Sequence, residues 1–209
     1  AAAWGIDPLY MLVGSQSFPK NVSEYEYAGG IKGGPVPVVK GKTTDLLLPA
    51  HAELVVEGEI RPGGMAPEGP FGEFTGYASF RSTQNVFVAH RVRMRRDAMF
   101  HSVVSGMAQD HILVSCVTRE GEISNTLRRN LPGVIAVHVP HRTCGAFLAI
   151  VKMKKSSQGE PQQAIMAALG TEFYTKYVIV VDEDVDIFDM NDVMWAVATR
   201  VQAERDIVF

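Results

Sequence analysis

The stretch Pro67-Glu68-Gly69-Pro70-Phe71-Gly72-Glu73-Phe74-Thr75-Gly76-Tyr77 limits what this chain can fold into more than any other segment. Gly69, Pro70 and Gly72 crowd between two carboxylates, and Gly and Pro at that density break both helix and regular strand. Glu68 and Glu73 therefore sit on a bend, and neither is explained as the wet face of a helix. Two acids held close on a stiff turn push their pKa values apart, so that one holds a proton while the other stays ionised. Such a pair suits an enzyme that handles carboxyl groups or transfers protons. The same residues also read as a charged surface hairpin, because Pro-Glu-Gly-Pro is a common exposed turn. From the residues alone both readings stand.

At 209 residues the chain is long enough for one large domain or two small ones. A hydrophobic content of 46% and a charged content of 21% belong to a globular protein with a sizeable core. The net charge of −3 gives no basic footprint, so nucleic acid is not an expected partner. The one basic cluster, Arg91, Arg93, Arg95 and Arg96, alternates with Val92 and Met94 and reads as the wet face of a strand. Cys116 and Cys144 have no metal or redox spacing and read as buried, reduced thiols of a cytoplasmic protein. The apolar runs, such as Tyr177–Val181, are too short to span a bilayer, and no signal peptide opens the sequence. The sequence starts at Ala1 rather than methionine and stops on the apolar run Asp206–Phe209. The expectation is a piece of a longer protein.

The first half predicts mostly strands. Residues 1–14 read as a short apolar helix broken at Asp7-Pro8, and Gly29–Pro37 as a loop. Val36–Lys40, Asp45–Leu48 and Glu53–Ile60 are strand-like. Asn85–Arg96 alternates most clearly, with Val86, Val88, His90, Val92 and Met94 on one face. Met99–Val104 predicts a further short strand. This half suits a small barrel or sandwich. After Ser105-Gly106-Met107 strands alternate with helices, the mark of an α/β layer. Ile112–Val117 is apolar and Thr118–Asn130 helical. Val134–Val139, Ala146–Met153 and Tyr177–Val181 are strands. One helix runs from Glu160 to Leu169 with Gly170 as its stop, and a last one is capped by Asp189 or Asn191. The expected division is 1–107 and 108–209.

Other candidates are weaker. Glu24 and Glu26 offer oxygen ligands for a hard cation such as Mn²⁺ or Mg²⁺, or form a solvated strand edge. The Gly29–Gly34 loop lacks nucleotide-binding spacings. His138 and His141 read as structural or surface residues, and His90 as a satisfied core histidine. The acidic run from Asp182 to Asp189 lacks the glycine and terminal glutamate of a calcium loop. Lys176 precedes a buried strand and either snorkels to water or reaches a phosphate.

Glu68-Gly69-Pro70-Phe71-Gly72-Glu73, with Thr75-Gly76-Tyr77 after it and Val55-Val56-Glu57-Gly58 before it, resembles the signature of UbiD-type decarboxylases, which use prenylated FMN. The resemblance continues through Ser23–Gly29, Tyr174–Val185 and Val193–Arg200, in family order over nearly the whole chain. It implies a mixed α/β (α+β) fold: half of a split flavin-reductase-like β-barrel that carries the cofactor, then an α/β domain that closes toward it. It implies a reversible decarboxylation of a small aromatic or α,β-unsaturated carboxylic acid through a prenylated-FMN adduct. Glu73 matches the proton donor. Glu68 matches the acid that pairs with an arginine and orients the substrate carboxylate. Glu24 matches a ligand of the Mn²⁺ (or Mg²⁺) that bridges to the cofactor phosphate, with K⁺ as a further candidate ion, and Lys176 matches a lysine near the cofactor.

In relatives the arginine partner, the Asn and His of the metal site and much of the flavin pocket lie upstream of the residue matching Ala1. The resemblance therefore implies a missing N-terminal segment, or a partner chain that supplies it, and little activity for this piece alone. It also favours a homo-oligomer, dimeric or hexameric, with neither nucleic acid nor membrane as partner. Two rival readings remain open: a flavin-barrel or oligomerisation subunit without its own activity, and a metal-assisted hydrolase with Glu24 on the metal and Glu68 or Glu73 as base.

Overall fold

The computed structural model describes residues 1–16 and 18–209. They form two compact units, Ala1–Gly106 and Met107–Phe209.

In the first unit, β1 (Ala2–Trp4) pairs antiparallel with β4 (Leu54–Glu68), which pairs antiparallel with β5 (Ser82–Met94), in the order β1-β4-β5. A second ribbon joins β2 (Val38–Lys40) to β3 (Leu47–Pro49). The two sheets do not join into a closed barrel among the described residues. Asp7-Pro8 starts a helix rather than breaking one. The Asp7 carboxylate accepts from the Leu9 N–H and Pro8 takes the first helical position of α1 (Pro8–Gly14), where a missing N–H costs nothing. Residues 2–4 become a strand because β4 offers them an open edge.

Glu24 also lies elsewhere than expected. Ser23 caps α2 (Glu24–Lys32), its hydroxyl accepting from the Tyr25 N–H, and Gly33 ends the helix at φ 75°. The strand-edge reading is thus corrected: both acids stand in the first turn, where they favour the helix dipole. The expected strand at Met99–Val104 has no regular structure.

The expected face of β5 holds at Val86 and Val88, which are half-buried, and is reversed after His90. Glu57 pairs with Arg91 while Gly58 pairs with Ala89, so His90 is the extra residue of a bulge and the alternation slips there. His90 is exposed, 3.7 Å from Glu59, and is not a core residue. Arg93 turns to the buried Glu57, whereas Val92 and Met94 are 62% and 69% exposed.

The second unit is a layered α/β fold. Its sheet has the order β6-β7-β8, from Val134–His138, Leu148–Met153 and Tyr177–Val181; β6–β7 is antiparallel and β7–β8 parallel. Period two along β7 sends Ala149, Val151 and Met153 to one face, with Ile123 and Leu127 of α3 (Gln109–Asn130) and Ala164 and Ala168 of α4 (Glu160–Thr171). Ile150 joins the opposite cluster with Val181, Val185, Ile187, and Val193 and Ala196 of α5 (Met190–Arg200). A short α6 (Ala203–Asp206) follows.

Several boundaries move. Ile112–Val117 belongs to α3, because Ile112, Cys116, Ile123 and Leu127 make one buried stripe at helical spacing. α4 runs through Gly170 to Thr171, where the expected stop had been placed at that glycine. Asp189 caps α5 through the Asn191 N–H, at 2.9 Å. Cys116 is buried but Cys144 only half-buried, at φ 62°. No described helix is long and apolar enough to cross a membrane.

Ile123 is fully buried in the larger cluster. Ile123→Ala should lower the unfolding free energy by about 2–5 kcal/mol, since the cavity closes only partly. Urea denaturation measures it; a loss under about 0.5 kcal/mol, the scale of a surface change, would contradict this packing.

Candidate active site

Glu68 is the last residue of β4, opposite Ser82. A cis Gly69-Pro70 bond follows, with Gly69 at φ 78°. The chain then folds back on itself. The Phe71 N–H donates to the Ser79 hydroxyl at 3.0 Å and the Ser79 N–H to the Phe71 carbonyl at 2.8 Å. Inside this clasp the Glu73 N–H donates to the Tyr77 carbonyl (2.8 Å), and the Gly76 N–H to the Glu73 carbonyl (3.0 Å). Gly76 takes φ 83°, which a tight turn of this kind needs and a side chain resists. The backbone of Glu73 is therefore pinned through both its polar groups. Glu73 is half-buried and Glu68 exposed. No ion pair or side-chain hydrogen bond engages either carboxylate among the described residues.

Glu24 lies on a different element of the same unit. It lines a cavity of about 350 Å³ with Ala1–Ala3, Tyr10, Tyr25 and Leu46–Pro49 among its walls. Glu68 and Glu73 do not line that cavity. Tyr10 and Tyr25 meet edge to face, centroids 5.9 Å apart, and the Tyr25 hydroxyl donates to the Leu47 carbonyl at 3.1 Å. Glu24 is the one carboxylate among the aromatic and aliphatic residues that line this cavity. Among the described residues no three His, Cys, Asp or Glu converge into a group that could hold a metal ion.

Lys176 belongs to the second unit. It is exposed, with its ammonium 4.4 Å from the centroid of the Phe147 ring. The segment before it is tied down by Arg119, which pairs with Glu172 at 3.1 Å and donates to the Gly145 carbonyl at 3.2 Å. His138 is similarly fixed: its Nδ1 lies 2.8 Å from Glu120, which also accepts from the Val139 N–H.

Sequence reasoning missed Glu57. It is the one charged side chain buried completely among the described residues. Its carboxylate accepts from the Lys42 N–H (2.8 Å), the Thr43 N–H (2.7 Å) and the Thr43 hydroxyl (3.0 Å), and lies 2.8 Å from Arg93. The Arg93 contact is an ion pair whose N–H direction misses the oxygen, so it acts through charge rather than as a formed hydrogen bond. The available signal was the acid in β4 facing the Arg run of β5, diagonal neighbours on one sheet face.

The Thr43 N–H above all, then the Thr43 hydroxyl, the Lys42 N–H and the Arg93 charge, bring the Glu57 carboxyl down to about 2 although burial opposes them. A depressed pKa stabilises the fold fully above the unfolded value near 4.5, and that stabilisation fades as pH falls toward 2. Acid titration followed by circular dichroism should therefore show a loss of stability between about pH 4.5 and 2 that Glu57→Gln flattens. An identical acid limb in the variant would remove this assignment.

In chain order, a sheet unit that carries a clasped Glu-Gly-Pro-Phe-Gly-Glu bend is followed by an α/β unit. Residues 1–108 match the 3-octaprenyl-4-hydroxybenzoate carboxy-lyase Rift-related domain and residues 111–209 match the C-terminal domain of the same family. The chain belongs to the UbiD family. It is similar to the UbiD-class enzyme HmfF from Pelotomaculum thermopropionicum in complex with FMN, at 35% identity and a TM-score of 0.91, over 97% of this chain and 45% of that one. It is similar also to apo 3,4-dihydroxybenzoic acid decarboxylase from Klebsiella pneumoniae (31%, TM-score 0.84; 97% and 44%). A third is vanillic acid decarboxylase from Sedimentibacter hydroxybenzoicus in open form (32%, TM-score 0.84; 98% and 44%). The chain thus spans a little under half the length of these enzymes.

Proposed function

We propose that this chain is part of a prenylated-FMN-dependent decarboxylase that removes CO₂ from a small aromatic or α,β-unsaturated acid. The observation that carries the reading is the pinned Glu73, a half-buried carboxyl with no cation beside it among the described residues, one short bend from Glu68. When bound, the flavin supplies an electron sink for the charge released as CO₂ leaves. The chain's own residues do the rest. Glu68 orients the substrate carboxylate. As the carbon–carbon bond breaks, its electron pair stays on the substrate carbon. Glu73 in its protonated form delivers its proton to that carbon and is reprotonated from water. A fixed donor placed near the carbon that receives the proton is worth about 10²–10⁴ in rate. Glu24 would give one oxygen ligand to a Mn²⁺ or Mg²⁺ held with the cofactor, and Lys176 would add positive charge there. The other ligands come from outside these residues, and the working enzyme is a homo-oligomer. Similarity to enzymes named for decarboxylating aromatic acids and for binding FMN supports the reading.

The intact enzyme, reconstituted with prenylated FMN, should release CO₂ from a panel of benzoic, furoic and cinnamic acids. It should also exchange solvent deuterium into the corresponding products. Ester or amide hydrolysis by the metal-loaded protein, without CO₂ release, would instead support the hydrolase.

A further inference from the structure

The hydrogen bonds of the first unit connect two places far apart in sequence, the buried Glu57 and the first turn of α2. The Glu57 Oε2 collects the donors of Lys42 and Thr43, so the loop between β2 and β3 is wrapped around one carboxylate oxygen. The Gly41 N–H donates to the Leu46 carbonyl at 2.8 Å and closes the base of that loop. A Cβ on Gly41 would lie 2.6 Å from the Thr44 carbonyl oxygen and 3.0 Å from Glu57 Oε2, so the wrap is tight enough to require glycine. From the loop the chain enters β3, whose Leu47 carbonyl accepts the Tyr25 hydroxyl. Tyr25 is the residue after Glu24 in α2, and Leu46–Leu48 line the same cavity as Glu24.

We infer that Glu57 is a positioning residue for the Glu24 wall: its carboxylate holds the β2–β3 loop, and the loop, through the Leu47 carbonyl and the Tyr25 hydroxyl, holds the first turn of α2. The inference rests on the reading of Glu24 as a cation ligand for its consequence, but not for the mechanical link. A buried carboxylate suits this task. It accepts from several donors at once, and an amide of the same shape must turn a donor toward some of them. Arg93 offsets the buried charge. The outer partners of a metal ligand set its aim without touching the metal.

The test uses the intact protein with Glu57→Gln and, separately, Tyr25→Phe, which removes only the hydroxyl of the link. Amide hydrogen exchange and Mn²⁺ binding by electron paramagnetic resonance are read on each. In Glu57→Gln the amides of Lys42 and Thr43 should lose protection. So should those of Glu26 and Tyr27, which donate to the Ser23 carbonyl in the first turn of α2. Amides of the second unit should not change. The Mn²⁺ Kd should rise by about 10–100-fold in both variants, the usual effect of losing an outer partner of a metal ligand, and Glu57→Asp should restore part of the affinity. Unchanged protection at Glu26 and Tyr27, with Lys42 and Thr43 opened, would overturn the inference. So would a loss of protection spread evenly over both units, which marks general destabilisation. If wild-type protein binds no Mn²⁺ while Glu57→Gln still loosens α2, the link stands and the assignment of Glu24 falls.

Discussion

Glu73→Gln in the intact enzyme lowers kcat for decarboxylation by about 10²–10⁴-fold while flavin stays bound, the range set by loss of a placed proton donor. Glutamine keeps the length and shape of the side chain, and the clasp that holds residue 73 is made by backbone groups and the Ser79 hydroxyl. The turn should therefore survive the substitution. What is lost is the transferable proton. The loss should fall on kcat rather than KM, because proton delivery belongs to the transition state and not to substrate binding. Solvent deuterium exchange into the product should fall in parallel, since it uses the same donor in reverse. Glu68→Gln should behave differently: a group that orients the substrate carboxylate affects KM as well as kcat. Stopped-flow absorbance of the flavin and mass spectrometry of the product separate the two variants. Full turnover by Glu73→Gln would remove the proton-donor role, and with it the main chemical support for the proposed function.

Gly58→Ala should unfold the first unit or lower its stability by about 3 kcal/mol or more, a cost above ordinary overpacking because the obstacle is backbone. A Cβ at residue 58 would lie 2.1 Å from the Val88 carbonyl oxygen and 2.9 Å from its carbon. The neighbouring strand cannot move aside without breaking the β4–β5 ladder at the bulge where Glu57 pairs with Arg91 and Gly58 with Ala89. The same shift would change how Glu57 meets Arg93, so the buried charge would lose its partner as well. Limited proteolysis should cut within residues 54–94 first, and the second unit should keep its own unfolding transition because its clusters share no residue with this ladder. Wild-type proteolytic resistance in Gly58→Ala would show that the close approach is not as described.

Much of the architecture could be read from local pattern. The continuous apolar run Tyr177–Val181 and a cap at Asp189 or Asn191 pointed to β8 and α5, because a strand packed on both faces and a side-chain cap are local in origin, and the structure places the cap at Asp189. The Gly/Pro bend with its two acids was equally plain, since only a turn accepts those residues. Pairing decided the rest. Residues 2–4 are a strand because β4 leaves an edge for them, and Ile112–Val117 is helical because its apolar residues continue the buried stripe of α3.

The chain's order of residues alone determined that Glu68 and Glu73 lie on a rigid bend, and that strands dominate before residue 107 and an α/β layer follows. Only the tertiary structure decided which face of β5 turns inward, since one inserted residue at His90 reverses an alternation that sequence reads as continuous. It alone showed Glu57 as a buried anchor, because the value of a carboxylate depends on donors supplied by a loop 13 to 15 positions away, and no periodicity records that distance.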